Sequence, residues 1–516
     1  MTTSLGEEPA SPTARLMHAP SFNLHILAFL GFTTPIDVNV FKNGFQQTLL
    51  KHPRFSSVLV VDGKNCNKMS WKRINADINN HVLIPSLDPN IDLSPDKFVE
   101  DYASRLSTIP MDLTKPLWEL HILNLQTSDA NSTAIFKFHH SMGDGVSLIS
   151  ILLACSKQTL DPQSFPTIPF KKQKFINAHD HLLTRSSYIK NLLFFVWLKI
   201  VIIFNTLIHA TCFIATILFL KDTQTPIKGS MKVEHSPKRF VHRIVSLDDI
   251  KLVKTAMNVS INDVVLGVTQ AGISQYLNGR YEKVEREKGS VGIAKKSNKY
   301  LPRNLFLRAA IFVNLRPTAP IQDLGELMEK EYNNSSNEIM WGWGNILGMV
   351  LLPLTAINLQ DDPLTYVRKS KATMDQKKRS LEAKLVNVVI KMIVKLLGIK
   401  GAAALTRAVL GKITVIFSNV VGPREEITLN GHPLCYLAPT GYGVGIPQAL
   451  VIHYQSYANK LIISIAVDEN VIPDPHQFCD VLEDSLKNIK DAVIKSGLAL
   501  HVDAGLSQLI NCNGSV

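Results

Sequence analysis

The run His139-His140-Ser141-Met142-Gly143-Asp144-Gly145 is the stretch of this chain best equipped for chemistry. A neutral imidazole can take the proton of a hydroxyl as its oxygen attacks a carbonyl, and it does so near pH 7. A carboxylate four residues after the second histidine can turn back and lock the loop. Glycine allows tight turning and close backbone approach. A plainer reading is a histidine pair packed at the end of a strand, with Asp144 as the N-cap of the next helix. Capping or loop-locking suits Asp144 at least as well as direct chemistry.

The flanking residues supply the elements that hold this run. Trp118–Leu125 and Ala134–His139 read as strands. After Gly145, the apolar positions Val146, Leu148, Ile149, Ile151, Leu152 and Leu153 read as a buried helix, so the histidines sit on a strand-to-helix turn. Upstream, residues 36–51 read as a helix and Phe55–Asp62 as a strand. Downstream, Ser260–Tyr276 reads as a helix, Ala309–Asn314 and Ile413–Val421 as strands, and 475–500 as a helix. Ile427–Leu429 and Pro433–Leu437 flank Asn430-Gly431, a hairpin signal, and Ala449–Tyr457 and Leu461–Val467 form a second hairpin. The polar, Lys-rich stretch 281–300 reads as a surface loop.

At 516 residues the chain suits two domains of roughly 200 residues each. Hydrophobic residues at 46% and charged residues at 19% exclude wholesale disorder. The formal charge of +12 suits nucleic acid, anionic headgroups or an anionic co-substrate. Zinc-finger and aromatic-basic RNA-binding spacings are absent, so nucleic acid is not an expected partner. The six cysteines are scattered without a C-x-x-C, so no metal site is expected either.

Asn191–Leu220 is the most apolar stretch, and Ile200–Leu220 holds no Asp, Glu, Lys or Arg. That length meets the criterion for membrane contact, with a long buried core helix as the alternative. The expected division is 1–160 for the first domain, 161–235 for a linker carrying the membrane-contacting segment 191–220, and 236–516 for the second.

Other motifs have two readings each. Trp118, after Pro116-Leu117, packs between strands more readily than it touches substrate. Asn262 and Asp263 follow Ser260 in a capping-box spacing, although a helix N-terminus also offers donors to an oxyanion. Ser418-Asn419 closes a strand before Gly422-Pro423, and either side chain is a possible substrate contact.

Taken together, these residues resemble the acyl-CoA-dependent acyltransferases marked by H-H-x-x-x-D-G, the superfamily of chloramphenicol acetyltransferase, carnitine acyltransferases and condensation domains. Within it the chain is most similar to the wax ester synthase/diacylglycerol acyltransferase family in its plant-like form. Ser11-Pro12-Thr13-Ala14-Arg15-Leu16, Pro116-Leu117-Trp118-Glu119, Asn262-Asp263-Val264-Val265, Trp343-Gly344-Asn345 and Ser418-Asn419-Val420-Val421-Gly422-Pro423 carry the resemblance in order along the chain.

The resemblance implies an α/β (α+β) fold of two chloramphenicol-acetyltransferase-like domains with the active site at their interface. It implies His140 as general base, with His139 and Asp144 supporting or structural, and Gly145 helping the motif turn. Acyl-CoA is then the co-substrate, no cofactor is bound, and the acceptor is a fatty alcohol or diacylglycerol. Two alternatives are a soluble-type acyltransferase of secondary metabolism and a catalytically weak lipid-binding membrane protein. The first usually carries D-F-G-W-G, whereas here Trp341-Gly342-Trp343-Gly344 lacks the leading Asp-Phe.

A shared site constrains topology. The histidine run precedes residue 191 and the other motifs follow residue 220, so a single crossing would separate them. The segment is therefore expected to be a hairpin, a re-entrant or interface-lying helix, or one of two crossings. Lys384, Lys391 and Lys395 form a basic stripe near Val386–Leu397, which favours monotopic attachment to membrane lipids. The expected location is the cytosolic face of the endoplasmic reticulum, with the plasma membrane as an alternative.

Overall fold

A computed structural model describes residues 7–62, 65–86, 94–169, 185–288, 300–302, 304–316, 343–356 and 362–498. Strands of the first half are β1 (Glu7–Pro9), β2 (His18–Ala19), β3 (Phe22–Phe32), β4 (Ser57–Asp62), β5 (Asn65–Arg73), β6 (Val82–Leu83), β7 (Trp118–Leu123), β8 (Ser132–His139) and β9 (Ser156–Gln158). They are followed by β10 (Arg239–Ser246), β11 (Leu307–Asn314), β12 (Leu347–Leu354) and β13 (Val415–Val420), then β14 (Ile427–Leu429), β15 (His432–Gly443), β16 (Leu450–Tyr457) and β17 (Lys460–Val467).

Two large sheets face each other. The first runs β6-β7-β8-β3-β15-β14-β9, and the second runs β10-β17-β16-β13-β11-β12. At the centre of the first, β3 and β8 are buried almost throughout, which accounts for their near-continuous apolar sequence. In the second sheet the two-residue period of a strand divides the side chains between two cores. Val415, Phe417, Leu450 and Ile452 pack under the helices Ile261–Glu287, Leu364–Lys378 and Pro475–Lys495. Ile416 and Val451 face the first sheet and join its core.

One segment crosses the expected boundary at residue 236. β14 and β15 come from the second half of the chain, yet β15 pairs antiparallel with β3, and β14 pairs with β9. The turn at Asn430-Gly431 has φ of 48° and 83°, the pair of positive values that a tight two-residue hairpin turn needs. This exchange joins the two halves through the middle of the first sheet.

Several elements differ from the sequence reading at their ends. The first long helix covers Val38–Gln47, and Phe55 falls in a short 3-10 turn before β4. The helix begun at Ser260 continues through Glu287, so the first part of the expected loop 281–300 is helical. Glu282 and Arg286, one turn apart, form an ion pair that supports this solvated extension. Residues 289–299 lie outside the described residues.

Residues 191–220 do not form a hairpin. Residues 191–218 belong to one unbroken helix, Arg185–Leu218, of 34 residues, and Phe219 and Leu220 follow its end. The basic stretch 384–397 lies on helix Glu382–Leu410, which is interrupted at Gly398, where φ is +69°.

Candidate active site

The histidine run is held by its neighbours' main chain. The N–H of His139 donates to the Leu117 carbonyl at 3.0 Å, and that of His140 to the Leu24 carbonyl at 2.8 Å. The Pro116-Leu117-Trp118 element therefore positions the histidines from beside them. Pro116 is buried. Trp118 is fully buried, donates its indole N–H to the Phe55 carbonyl at 3.0 Å, and stacks on His81. Its role is packing, as its size and polar handle favour.

The two imidazoles carry their protons on different nitrogens. At His139, Nδ1 accepts the Ser141 backbone N–H at 3.1 Å, so the proton must sit on Nε2, which donates to Asn23 Oδ1 at 2.6 Å. At His140 the argument runs through Asn345. The Asn345 Nδ2 donates to the carbonyls of His140 and Ser141 at 2.8 and 3.4 Å, which fixes the amide's orientation. Its Oδ1 then faces His140 Nδ1 at 3.1 Å and requires a proton there. The Nε2 of His140 is left with its lone pair free.

Burial lowers the pKa of both rings, and pushes His139 well below the ordinary histidine value. Both are neutral at pH 7. His139 has both nitrogens engaged, whereas His140 borders a cavity with Nε2 unengaged.

Asp144 caps the helix Gly145–Ala154. Its Oδ1 accepts the Ser147 N–H at 3.1 Å. Its Oδ2 accepts the Ile346 N–H at 3.1 Å and pairs with Arg316 Nη1 at 2.8 Å. The carboxylate is thus saturated by structural partners. Arg316 also donates to the Gly344 carbonyl at 2.5 Å and to Ser147 Oγ at 2.9 Å. Trp343 donates its indole N–H to the Met142 carbonyl at 2.8 Å and packs on His52. Arg316, Trp343 and Asn345 therefore form a clasp from the second half of the chain over the histidine loop. Gly145 lets strand β13 come close, since a Cβ there would lie 3.2 Å from Val420 Cγ2.

The other expected site residues divide. Ser418 and Asn419 line the same cavity as His140. Asn262 is exposed and does not line it. It accepts a hydrogen bond from Asn419 Nδ2 at 2.5 Å, so it steadies a wall residue from outside. Asp263 completes the capping box with Ser260 and is buried. Asn262 thus stands one hydrogen bond behind the cavity wall, while Asp263 is turned into the helix cap.

The cavity has a volume of about 410 Å³ and runs between the two sheets. Its walls are mainly apolar, with Phe22, Leu24, Phe138, Leu148, Leu437 and Val451 among them. That volume falls in the range of small-molecule pockets. Among the described residues, no group of three His, Cys, Asp or Glu side chains is placed to hold a metal ion.

Comparison with known proteins gives this architecture a family. Residues 14–265 match the model of the wax ester synthase/diacylglycerol acyltransferase catalytic domain, and 343–490 that of the WS/DGAT C-terminal domain. The chain is 45% identical over 495 residues to wax ester synthase/diacylglycerol acyltransferase 11 of Arabidopsis thaliana, covering 95% of this chain and 96% of that protein. With number 4 of the same plant the identity is 45% over 494 residues, covering 95% and 91%. The chain belongs to the wax ester synthase/diacylglycerol acyltransferase family.

A solved family structure, from Marinobacter aquaeolei VT8, superposes with a TM-score of 0.55 at 17% identity, over 94% of this chain and 100% of that one. This confirms the fold expected of the family. The C-terminal family match begins at Trp343, one of the three clasp residues over the histidine loop.

Proposed function

We propose that this chain is an acyl-CoA-dependent O-acyltransferase that makes neutral lipid esters at a membrane surface. Its products are wax esters from long-chain alcohols, triacylglycerol from diacylglycerol, or both. The observation that carries the reading is His140: a neutral ring with its proton held on Nδ1 by Asn345, and a free Nε2 beside an apolar cavity.

In the reaction, His140 Nε2 takes the proton of the acceptor hydroxyl. The oxygen attacks the thioester carbonyl, a C–O bond forms, and the negative charge gathers on the carbonyl oxygen. Collapse breaks the C–S bond, and the departing coenzyme A thiolate recovers the proton from Nε2. A positioned acceptor oxygen makes a covalent enzyme intermediate unnecessary. Ser418 and Asn419 are the wall residues able to donate to the oxyanion.

Membrane attachment is supported by an exposed apolar surface. Among the described residues, one helix, Lys190–Leu218, is long and apolar enough to cross a bilayer, with mean hydropathy 2.1. Phe194, Phe195, Trp197, Ile203 and Phe204 are all exposed on it. Leu381, Leu385, Val388, Met392 and Leu396 extend the exposed surface on the neighbouring helix, beside Lys384, Lys391 and Lys395. This mixture suits an anionic lipid surface, and the endoplasmic reticulum's cytosolic face is the location we assign.

Product analysis in cells lacking neutral-lipid synthesis tests the whole reading. Wax ester, triacylglycerol or both are expected, and accumulation of neither would overturn it.

A further inference from the structure

The cavity wall contains more polar chemistry than the transfer step uses. Thr440, His453 and Gln455 line it at 2%, 8% and 0% exposure. Thr440 Oγ1, His453 Nε2 and Gln455 Oε1 are buried without a hydrogen-bond partner, and so is the hydroxyl of nearby Ser464, which is 3% exposed.

Strand register shows that these groups are arranged. Ser418 of β13 pairs with His453 of β16, and His453 pairs with Ser464 of β17. Residues paired in register share a face, so the three form a lateral polar stripe across an apolar sheet. Gln455 lies two residues from His453 on the same face. Its Nε2 donates to the Ser456 carbonyl at 3.1 Å, which leaves Oε1 free. The Gln455 amide is also a polar neighbour that partly offsets the effect of burial on the His453 ring. Thr440 enters from β15, the strand that crosses between the halves.

Buried polar groups without partners are rare in native proteins, and several in one ligand cavity point to a ligand that satisfies them. A fatty alcohol offers one polar group, its hydroxyl, and that belongs at His140 Nε2. The thioester carbonyl belongs near the same atom. A diacylglycerol brings further ester carbonyls, which only accept hydrogen bonds. The Thr440 and Ser464 hydroxyls can each donate, and so can the His453 ring when Nε2 carries its proton.

We propose that Thr440 and His453, with Ser464 beside His453 in register, form a subsite for the ester carbonyls of a diacylglycerol acceptor, resting on the acyltransferase reading above. The enclosure of the stripe among Leu437, Ile446 and Val451 fits isolated ester oxygens. It is less suited to the hydrated amide arm of coenzyme A, which must lead out to solvent.

The test uses the purified full chain in mixed micelles, with one acyl-CoA and either 1,2-dioleoylglycerol or hexadecanol as acceptor. Thr440→Val removes the hydroxyl at nearly constant shape, and His453→Phe removes the ring nitrogens. Each is expected to lower the ratio of triacylglycerol to wax ester about three- to tenfold, the worth of one hydrogen bond to the lipid. The Tm should hold or rise in Thr440→Val, because an unpaired buried polar atom is lost.

An unchanged ratio in both variants would overturn the subsite, as would a wild-type protein that esterifies hexadecanol but not dioleoylglycerol. A raised KM for acyl-CoA with both acceptors would also overturn it, placing the stripe on the coenzyme arm. A folded wild-type protein that acylates neither acceptor would instead remove the acyltransferase reading, and the subsite with it.

Discussion

Asn345 offers the sharpest test of how His140 is prepared. Its Oδ1 lies 3.1 Å from His140 Nδ1, and its Nδ2 holds the His140 carbonyl at 2.8 Å. In Asn345→Ala the ring loses the partner that keeps its proton on Nδ1. As the hydroxyl proton arrives at Nε2 the ring becomes a cation, and the lost bond would then have been charge-assisted, worth about 1.5–3 kcal/mol. The expected fall in kcat is therefore roughly ten- to hundredfold, with little change in the KM for acyl-CoA. Asn345→Asp separates this role from simple packing. Its carboxylate still accepts from Nδ1 but adds a negative charge, which raises the His140 pKa. The acid limb of kcat should move to higher pH in that variant. The assay is ester formation from pH 4.5 to 8 with purified, folded protein. An Asn345→Ala enzyme with wild-type kcat, together with an unmoved acid limb in Asn345→Asp, would refute the tautomer argument.

Four further outcomes follow from the same geometry. His140→Ala should lower turnover by about 10²–10⁴-fold in a folded protein, and His139→Ala should cost less in chemistry but more in stability, since both its nitrogens are bonded. Thermal unfolding should show Asp144→Asn destabilised by several kcal/mol, because its partner Arg316 is left in a buried setting. The acid limb of wild-type activity should lie below pH 6.5, lower than an unperturbed histidine gives, because burial disfavours the protonated ring; an acid limb at or above pH 6.5 would contradict this. Stability should also fall with acid. Burial pushes His25 and His52 down to about 3, so the unfolded chain binds more protons below pH 6.5, and each ring removes about 1.4 kcal/mol per pH unit until its folded pKa is reached. Denaturant titrations at pH 7 and pH 5 measure this directly.

What the sequence disclosed was local. The strand-to-helix turn at Gly145, the Ser260 cap and the Asn430-Gly431 hairpin each depend on residues within a few positions, and each is found where the pattern placed it. What it concealed was long-range. Arg316 and Asn345 meet the histidine loop from about 170 and 205 residues away. The Trp343-Gly344-Asn345 triplet was visible, but nothing local assigned it a partner, and nothing near Arg316 marked it at all. The transfer of β15 into the first sheet was hidden for the same reason, since alternation specifies a face and not a neighbour. The end of the helix at Glu287 was missed because a solvated helix extension has the composition of a loop.

The continuous helix Arg185–Leu218 changes the membrane argument without reversing it. Its 34 residues extend about 51 Å, longer than a bilayer core. Yet its C-terminal part is fastened to the catalytic body. Asn205 donates to the Arg379 carbonyl at 3.1 Å, Thr206 accepts the Leu381 N–H at 2.9 Å, and His209 meets Ser380 at 3.0 Å. The helix before those contacts, Arg185–Phe204, is about 30 Å long, but its apolar part, Leu192–Phe204 with Lys199 inside it, is only about 20 Å, short of a 30 Å core. On the membrane attachment proposed above, a helix fastened in this way would dip into one leaflet and would leave both halves of the chain on one side. Single cysteines replacing exposed Leu160 and Lys283, before and after the helix, should therefore react with an impermeant thiol reagent from the same face of sealed vesicles. Lysines placed at Phe195 and Ile203 should release most of the protein from those vesicles, and salt should then release the remainder held by Lys384, Lys391 and Lys395. Labelling of the two cysteines from opposite faces would be incompatible with a site in which Asn345 holds His140, because the residues that meet there lie on either side of this helix in the chain.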